Sequence, residues 1–402
     1  MRDLQLPGRS PVITSNGMVS TSQPLSTSAA LTVLKDGGNA MDAALAACAV
    51  QAVVEPASTG IGGDCFCLYA PADSPDIIAI NGSGRAPQAL NTELLLSQGI
   101  TKIEQQSAHS VTVPTAVDAW VQLNRDYGTM PLADLLQPAI GYADDGFPVA
   151  QRSAFDFAGC LALLKGDADA SDVFLKAGQT YQMGEILRQP ALAKTLREIA
   201  EKGRAGFYEG WVADDLLAKL NGLGGLHTAD DLAMARADYV TPISTNFRGY
   251  DIFECPPNGQ GMIALLLLNM AAGMDVSDGP LSISRIHHEI EAGRLAYRDR
   301  SAYLADPAFS AVRWMKYWTL LMPIKCGPRL TRRRHLQTCH HQSYLTIKAL
   351  FIFQLLIRTE TPVLLLILFI IPLGRGVLRR NLASCCIAAV WALFWTHHIQ
   401  TA

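Results

Sequence analysis

Between Gly17 and Arg85 the chain passes from an amphipathic pattern to an almost wholly apolar one and then to short alternating runs. The pattern predicts a helix whose start can be capped by Ser26, Thr27 or Ser28. Gly37-Gly38-Asn39 breaks it, as glycine does where positive φ is needed. A second helix follows from Ala40 to Val54, with Asp42 as its only charge. A helix apolar on nearly every side belongs inside a large core. Gly60-Ile61-Gly62-Gly63 carries few side chains and lets backbone or a ligand come close. Cys65 to Tyr69 and Ile77 to Ile80 read as buried strands, and Arg85 follows the second after Gly82-Ser83-Gly84.

Further along, His109 to Val113 reads as a short strand, and Ala116 to Tyr127 as a helix ended by Gly128. His109 is read as a strand-edge side chain with a local hydrogen bond, not a catalytic group. Pro131 opens the next helix, and Asp144-Asp145-Gly146 stops it. Phe155 to Tyr181 is polar and glycine-bearing, and is expected to be irregular surface. Two amphipathic helices then bury Leu192, Leu196 and Ile199, and Val212, Leu216, Leu217 and Leu220. Thr228 is a cap for Ala229 to Ala235. Tyr250 to Glu254 is a strand, and Gly259-Gln260-Gly261 opens an apolar helix from Met262 to Met270. Ile286 to Phe309 reads as one long helix, whose Glu291, Arg294, Arg298, Asp299 and Arg300 make solvated ion pairs.

Composition changes this picture at one point. The 402 residues are 49% hydrophobic and 17% charged, enough for one large or two ordinary domains. The net charge of −3 conceals a break. Residues 1–312 carry 35 acidic and 21 basic residues, whereas residues 313–402 carry 12 basic residues and the single acid Glu360. Two regions are therefore expected, 1–312 and 313–402. Cys65 and Cys67 form a C-x-C on a strand, which points both thiols the same way; two small core residues are the preferred reading. His287-His288 is read as structural, since adjacent helical residues diverge by about 100°. No glycine run has the P-loop or dinucleotide spacing, and the acidic main region has no basic stripe for nucleic acid. No metal or cofactor is expected. The N-terminus lacks the apolar run of a secretory signal, so a cytoplasmic setting is expected.

Three ordered pieces carry a resemblance: GMVSTSQPLSTSAALTVLKDGGNAMDAALAA, VVEPASTGIGGD and NGSGRAP. Later pieces, FYEG, GGLHTADDLA and RGYDIFECPPNGQG, keep the same order. The chain resembles the γ-glutamyltranspeptidase (γ-glutamyltransferase, glutathione hydrolase) family over about 300 residues, all of them corresponding to the family's large subunit. The resemblance implies an α/β (α+β) fold, the αββα sandwich of N-terminal-nucleophile hydrolases, present here as its large-subunit half. It implies cleavage of γ-glutamyl amides through an acyl-enzyme on an N-terminal threonine freed by self-cleavage. It implies that Arg85 binds the substrate carboxylate, with Gly62 and Gly63 shaping a pocket wall nearby.

The family's threonine lies in a Thr-Thr-His context, and this chain has no Thr-Thr pair; Thr396-His397 is the nearest imitation. No catalytic nucleophile is assigned. The expected reading is a truncated family member, inactive alone and lacking the small subunit as partner. The alternatives are a frameshifted product or non-catalytic binding module, and an amidase or acylase of the same superfamily. The runs Ala349 to Ile357, Val363 to Leu373 and Leu382 to Trp395 each fall short of the ~20 residues that span a bilayer as a helix. The basic flanks Arg332-Arg333-Arg334 and Arg379-Arg380 suit contact with an anionic membrane surface. Residues 313–402 are expected to stay out of the main core.

Overall fold

The structure, a computed structural model, describes residues 12–310 except 73, 105, 275–278 and 280, and the backbone of 352–357 and 364–369. Strand β1 (Gly17–Ser20) leads into α1 (Pro24–Lys35). Gln23, not one of the expected serines or the threonine, caps α1, because Pro24 already occupies its first turn. Ser26 lies inside and donates its hydroxyl to the Ala47 carbonyl at 2.8 Å. Gly37 turns the chain with φ 93°, and Asn39 and Asp42 form a capping box on α2 (Ala40–Val54). All fifteen residues of α2 are buried, as its apolar surround predicts.

Strands β2 (Cys65–Tyr69) and β3 (Ile78–Gly82) pair antiparallel, Cys65 opposite Gly82. The short helix α3 (Thr92–Ser97) is followed by a single 3-10 turn at Ala108–Ser110, where a strand was expected. Ser107 caps that turn through its hydroxyl, which accepts from the His109 amide. Next come α4 (Ala116–Tyr127), α5 (Leu132–Asp145) and β4 (Phe147–Pro148). The segment expected to be irregular is instead helical: α6 (Gln151–Gly159), α7 (Leu161–Lys165) and α8 (Ala168–Phe174). Each is too short to show periodicity, yet each drops an apolar anchor into the core, Phe157, Leu164 and Phe174. Small strands β5 (Leu175–Lys176), β6 (Gln179–Thr180) and β7 (Ile186–Leu187) precede α9 (Pro190–Lys202), α10 (Ala205–Tyr208), α11 (Gly210–Gly222) and α12 (Ala229–Met234). Thr228 and Asp231 cap α12 reciprocally. Strand β8 (Asp238–Val240) pairs with β3, and β9 (Ile243–Phe247) forms a hairpin with β10 (Tyr250–Glu254). Helices α13 (Gly261–Ala272) and α14 (Ile283–Tyr303) follow; α14 ends short of the predicted Phe309.

Four layers emerge from the alternation of β2. Cys65, Cys67 and Tyr69 point into the main core beneath α1, α2 and α4. Phe66 and Leu68 point the other way, against Phe253 and Cys255 at the end of β10. On the far side of that hairpin, Ile243 and Ile252 pack on Met262, Ile263 and Leu266 of α13 and on Ala296 of α14. Helices, sheet, hairpin and helices thus form the expected αββα order. Cys65 and Cys67 are free, buried core residues, as the C-x-C reading had it.

One expectation needs correction. Two strands from residues 313–402, β11 (Ile352–Ile357) and β12 (Leu364–Phe369), lie inside the main sheet, whose order is β1-β11-β12-β2-β3-β8. Val19 lies opposite Leu355, and Ile367 opposite Leu68. The cause is hydrogen-bond supply. Neither β1 nor the outer side of β2 has a partner from residues 12–310, and apolar strand-forming hexapeptides satisfy both edges. Thr396, His397, the basic flanks and the run from Leu382 to Trp395 lie outside the described residues. Among the described residues no helix is long and apolar enough to cross a membrane.

His227 should give the fold a pH dependence. It is buried just before α12, and its Nε2 donates to the Val111 carbonyl at 3.0 Å. Its Nδ1 meets no donor among the described residues. Burial lowers its pKa, outweighing the Val111 bond and the Asp231 charge. Below about pH 6.5 the unfolded imidazole takes a proton that the folded one refuses, so stability falls as pH drops through that window. His227→Gln, which can keep the bond to Val111, should flatten the urea stability curve between about pH 7 and 5.5; an unchanged slope would exclude His227 as its source.

Candidate functional site

A cavity of about 260 Å³ opens at the C-terminal end of β3. Asn81, Ser83, Gly84 and Arg85 form one wall, Arg236 and Asp238 a second, and Pro257, Asn258 and Asp306 the rest. Four separate stretches of chain therefore meet there. The β3 wall is held by its backbone. Gly84 takes φ 71°, and the Val113 amide donates to the Arg85 carbonyl at 2.8 Å. Asn81 Nδ2 donates to Asn258 Oδ1 at 2.8 Å, and Asn258 Nδ2 donates to Ser83 Oγ at 2.9 Å.

The Arg85 side chain is only lightly held. Its Nη2 lies 3.7 Å from Asp238 Oδ2, with both side chains more than half exposed (62% and 61%). Arg236 anchors one nitrogen, Nη1, on the carbonyls of Ala233 and Ala235 at 2.9 and 2.6 Å. Two guanidiniums, two carboxylates, two amides and a hydroxyl thus line one small space. Such a set can hold a carboxylate by bidentate hydrogen bonds and an ammonium beside it.

Arg85, singled out from the sequence, lines this cavity. Gly62 and Gly63 do not; they are buried at the base of α4, where the Gly63 carbonyl accepts from the Thr115 and Ala116 amides at 3.2 Å. Arg236, Asp238, Asn258 and Asp306 went unseen in the sequence, because their sites are far apart in the chain and none belongs to a spaced motif. The buried thiols lie outside the cavity lining, in apolar surroundings that disfavour the thiolate. Burial raises Cys48 and Cys67 well above the ordinary thiol range and pushes Cys255 up to about 12. His109 and the His287-His288 pair stand apart from the cavity lining, and no metal-holding cluster occurs among the described residues.

The layer order and the cavity at a strand end define an N-terminal-nucleophile hydrolase fold, and comparison with solved structures agrees. A cephalosporin acylase from Bacillus halodurans superposes with TM-score 0.80 at 32% identity, covering 97% of this chain and 72% of that one. The γ-glutamyltranspeptidase of Helicobacter pylori gives 0.72 at 31% identity, covering 78% and 90%. The gamma-glutamyltranspeptidase family model matches residues 26–322, and the chain belongs to that family. Among curated relatives, the glutathione hydrolase-like YwrD proenzyme of Bacillus subtilis is 36% identical over 305 residues, 75% of this chain and 57% of that protein. The oxamate amidohydrolase proenzyme of Klebsiella pneumoniae is 34% identical over 301 residues, 73% and 56%. The chain thus spans a little over half the length of these curated relatives.

Proposed function

We propose that this chain is the large-subunit portion of an amide hydrolase or acyltransferase, and that the cavity beside Arg85 takes the carboxylate of the acyl group. The observation that carries this reading is the convergence of Arg85 and Arg236 with hydroxyl and amide donors on one cavity. Planar guanidinium forks match a carboxylate in geometry as well as charge. Asp238 and Asp306 line the same space and suit an ammonium. A γ-glutamyl group carries both charges, and the relatives named glutathione hydrolases support that choice.

On this reading a threonine hydroxyl, supplied with a small-subunit-like partner, attacks the amide carbonyl. The amine leaves with the hydroxyl proton, and water or a second amine releases the acyl group. Alone, the chain is proposed to leave γ-glutamyl anilides uncleaved and to show no self-cleavage on a denaturing gel. The acylase alternative draws on the close superposition with a cephalosporin acylase and on relatives named acylases. Paired γ-glutamyl and glutaryl anilides separate the two readings, since they differ only in the ammonium.

In protein completed with a family-type small subunit, Arg85→Ala should lower kcat/KM by roughly tenfold or more, mainly through KM, because a charge-assisted hydrogen bond contributes about 1.5–3 kcal/mol. Unchanged kcat/KM would remove Arg85 from the site.

A further inference from the structure

Arg85 is too exposed for its contact with Asp238 to aim it. Exposed pairs of this kind are screened by water and hold a side chain only weakly. Its direction has to come from the backbone that bears it. That backbone is tied twice: by the Val113 amide on the Arg85 carbonyl, and by a ring of side chains one turn earlier. In the ring, the Ser83 amide donates to Asn81 Oδ1 at 3.1 Å, Asn81 Nδ2 donates to Asn258 Oδ1, and Asn258 Nδ2 donates to Ser83 Oγ. Thr112 Oγ1 reaches the Ser83 carbonyl at 3.4 Å. Asn258 sits in the loop between β10 and α13, so its amide joins the second sheet to the end of β3. One planar amide makes both contacts, accepting from Asn81 and donating to Ser83. Ser83 is buried, which makes an unmade bond there costly.

We propose that Asn258 is a positioning residue: through Asn81 and Ser83 it holds the Gly82–Arg85 turn so that the Arg85 guanidinium faces the cavity and its carboxylate ligand. The proposal rests on the reading that the cavity takes a carboxylate. Nothing in the spacing of PPNGQG announces it, because the partners of Asn258 lie 175 and 177 positions away.

The test uses the full chain, with glutarate as probe. Hydrogen–deuterium exchange over residues 80–87 is read by mass spectrometry, and affinity by calorimetry. Asn258→Ala should speed exchange in that segment about thirtyfold and weaken glutarate about thirtyfold, since two hydrogen bonds of roughly 1 kcal/mol each are lost. Asn258→Asp still accepts from Asn81 and can accept a hydrogen bond from the Ser83 hydroxyl, so slow exchange should return. Affinity should not return, because a new carboxylate lines the cavity. Arg85→Ala should weaken glutarate about tenfold or more with exchange near wild type. Arg85-dependent binding that Asn258→Ala leaves intact would overturn the proposal alone, as would unchanged exchange. Failure of the wild type to bind glutarate would overturn the carboxylate reading, and the proposal with it.

Discussion

Asp118→Ala should destabilise the protein by about 3–5 kcal/mol, the scale on which a broken buried ion pair leaves a charge without its partner. Asp118 lies in the first turn of α4, with its side chain 2% exposed. Its Oδ1 accepts from Arg204 Nε at 2.8 Å. Its Oδ2 accepts from the Ala237 amide at 2.8 Å and from Gln122 Nε2 at 2.7 Å. Arg204 spends its Nη2 on the carbonyls of Leu232, Ala233 and Ala235, and its guanidinium lies 4.3 Å from the centre of the Tyr208 ring. The Tyr208 hydroxyl accepts from the Asp118 amide and donates to the Pro114 carbonyl at 2.9 Å. One carboxylate therefore ties α4, α10 and the strand entry after α12 together. Arg236 and Asp238 of the cavity sit on that entry, so the variant should also lose ligand affinity. Urea denaturation measures the cost. The double variant with Arg204→Ala should cost less than the two single changes summed, because the orphaned charge disappears. A single-variant cost below about 1 kcal/mol would show that the pair is dispensable.

The sequence was most legible where one physical demand dominated a whole segment. The apolar surround of α2 predicted its burial, and its bounds came out as read, because glycines and a capping asparagine frame it. The apolar run from Cys65 to Tyr69 predicted a buried strand, and the layers on either side of β2 cover both its faces. Legibility failed where structure is set by distant partners. Helices α6 to α8 are held by single anchors, so no period betrays them. His109 sits in a 3-10 turn because a nearby hydroxyl satisfies its amide locally, in place of a strand ladder. The change of composition after residue 312 was read as a boundary, yet the sheet accepts β11 and β12 through backbone hydrogen bonds that are indifferent to charge balance. Of the cavity, only the segment bearing Arg85 stood out, since it belongs to a compact motif. Arg236, Asn258 and Asp306 join it only through the meeting of β3, β8 and the α13 and α14 loops.

Gly84→Ala should harm both fold and site, and should do so more than the same change at Gly37. Both glycines have positive φ, 71° and 93°, so alanine at either pays about 1–2 kcal/mol for the left-handed backbone. The surroundings differ. A Cβ at Gly37 meets nothing within 4 Å, whereas at Gly84 it would stand 2.0 Å from the Val113 carbonyl oxygen. That oxygen belongs to backbone pinned by the Val113 amide on the Arg85 carbonyl, so it cannot swing aside as a flexible side chain would. Relief requires parting the two strands of chain and giving up that hydrogen bond, roughly 1 kcal/mol more. The expected totals are about 1–2 kcal/mol at Gly37 and about 2–3 kcal/mol at Gly84. Chemical denaturation of the two variants isolates the steric part, since the backbone strain is common to both. Because parting the chains also moves the residue that follows, Gly84→Ala should weaken glutarate binding about tenfold or more, while Gly37→Ala leaves it unchanged. Equal stability costs at the two positions would mean that the approach of Val113 to the Gly84–Arg85 turn is loose, and that Arg85 takes its direction from something other than its backbone.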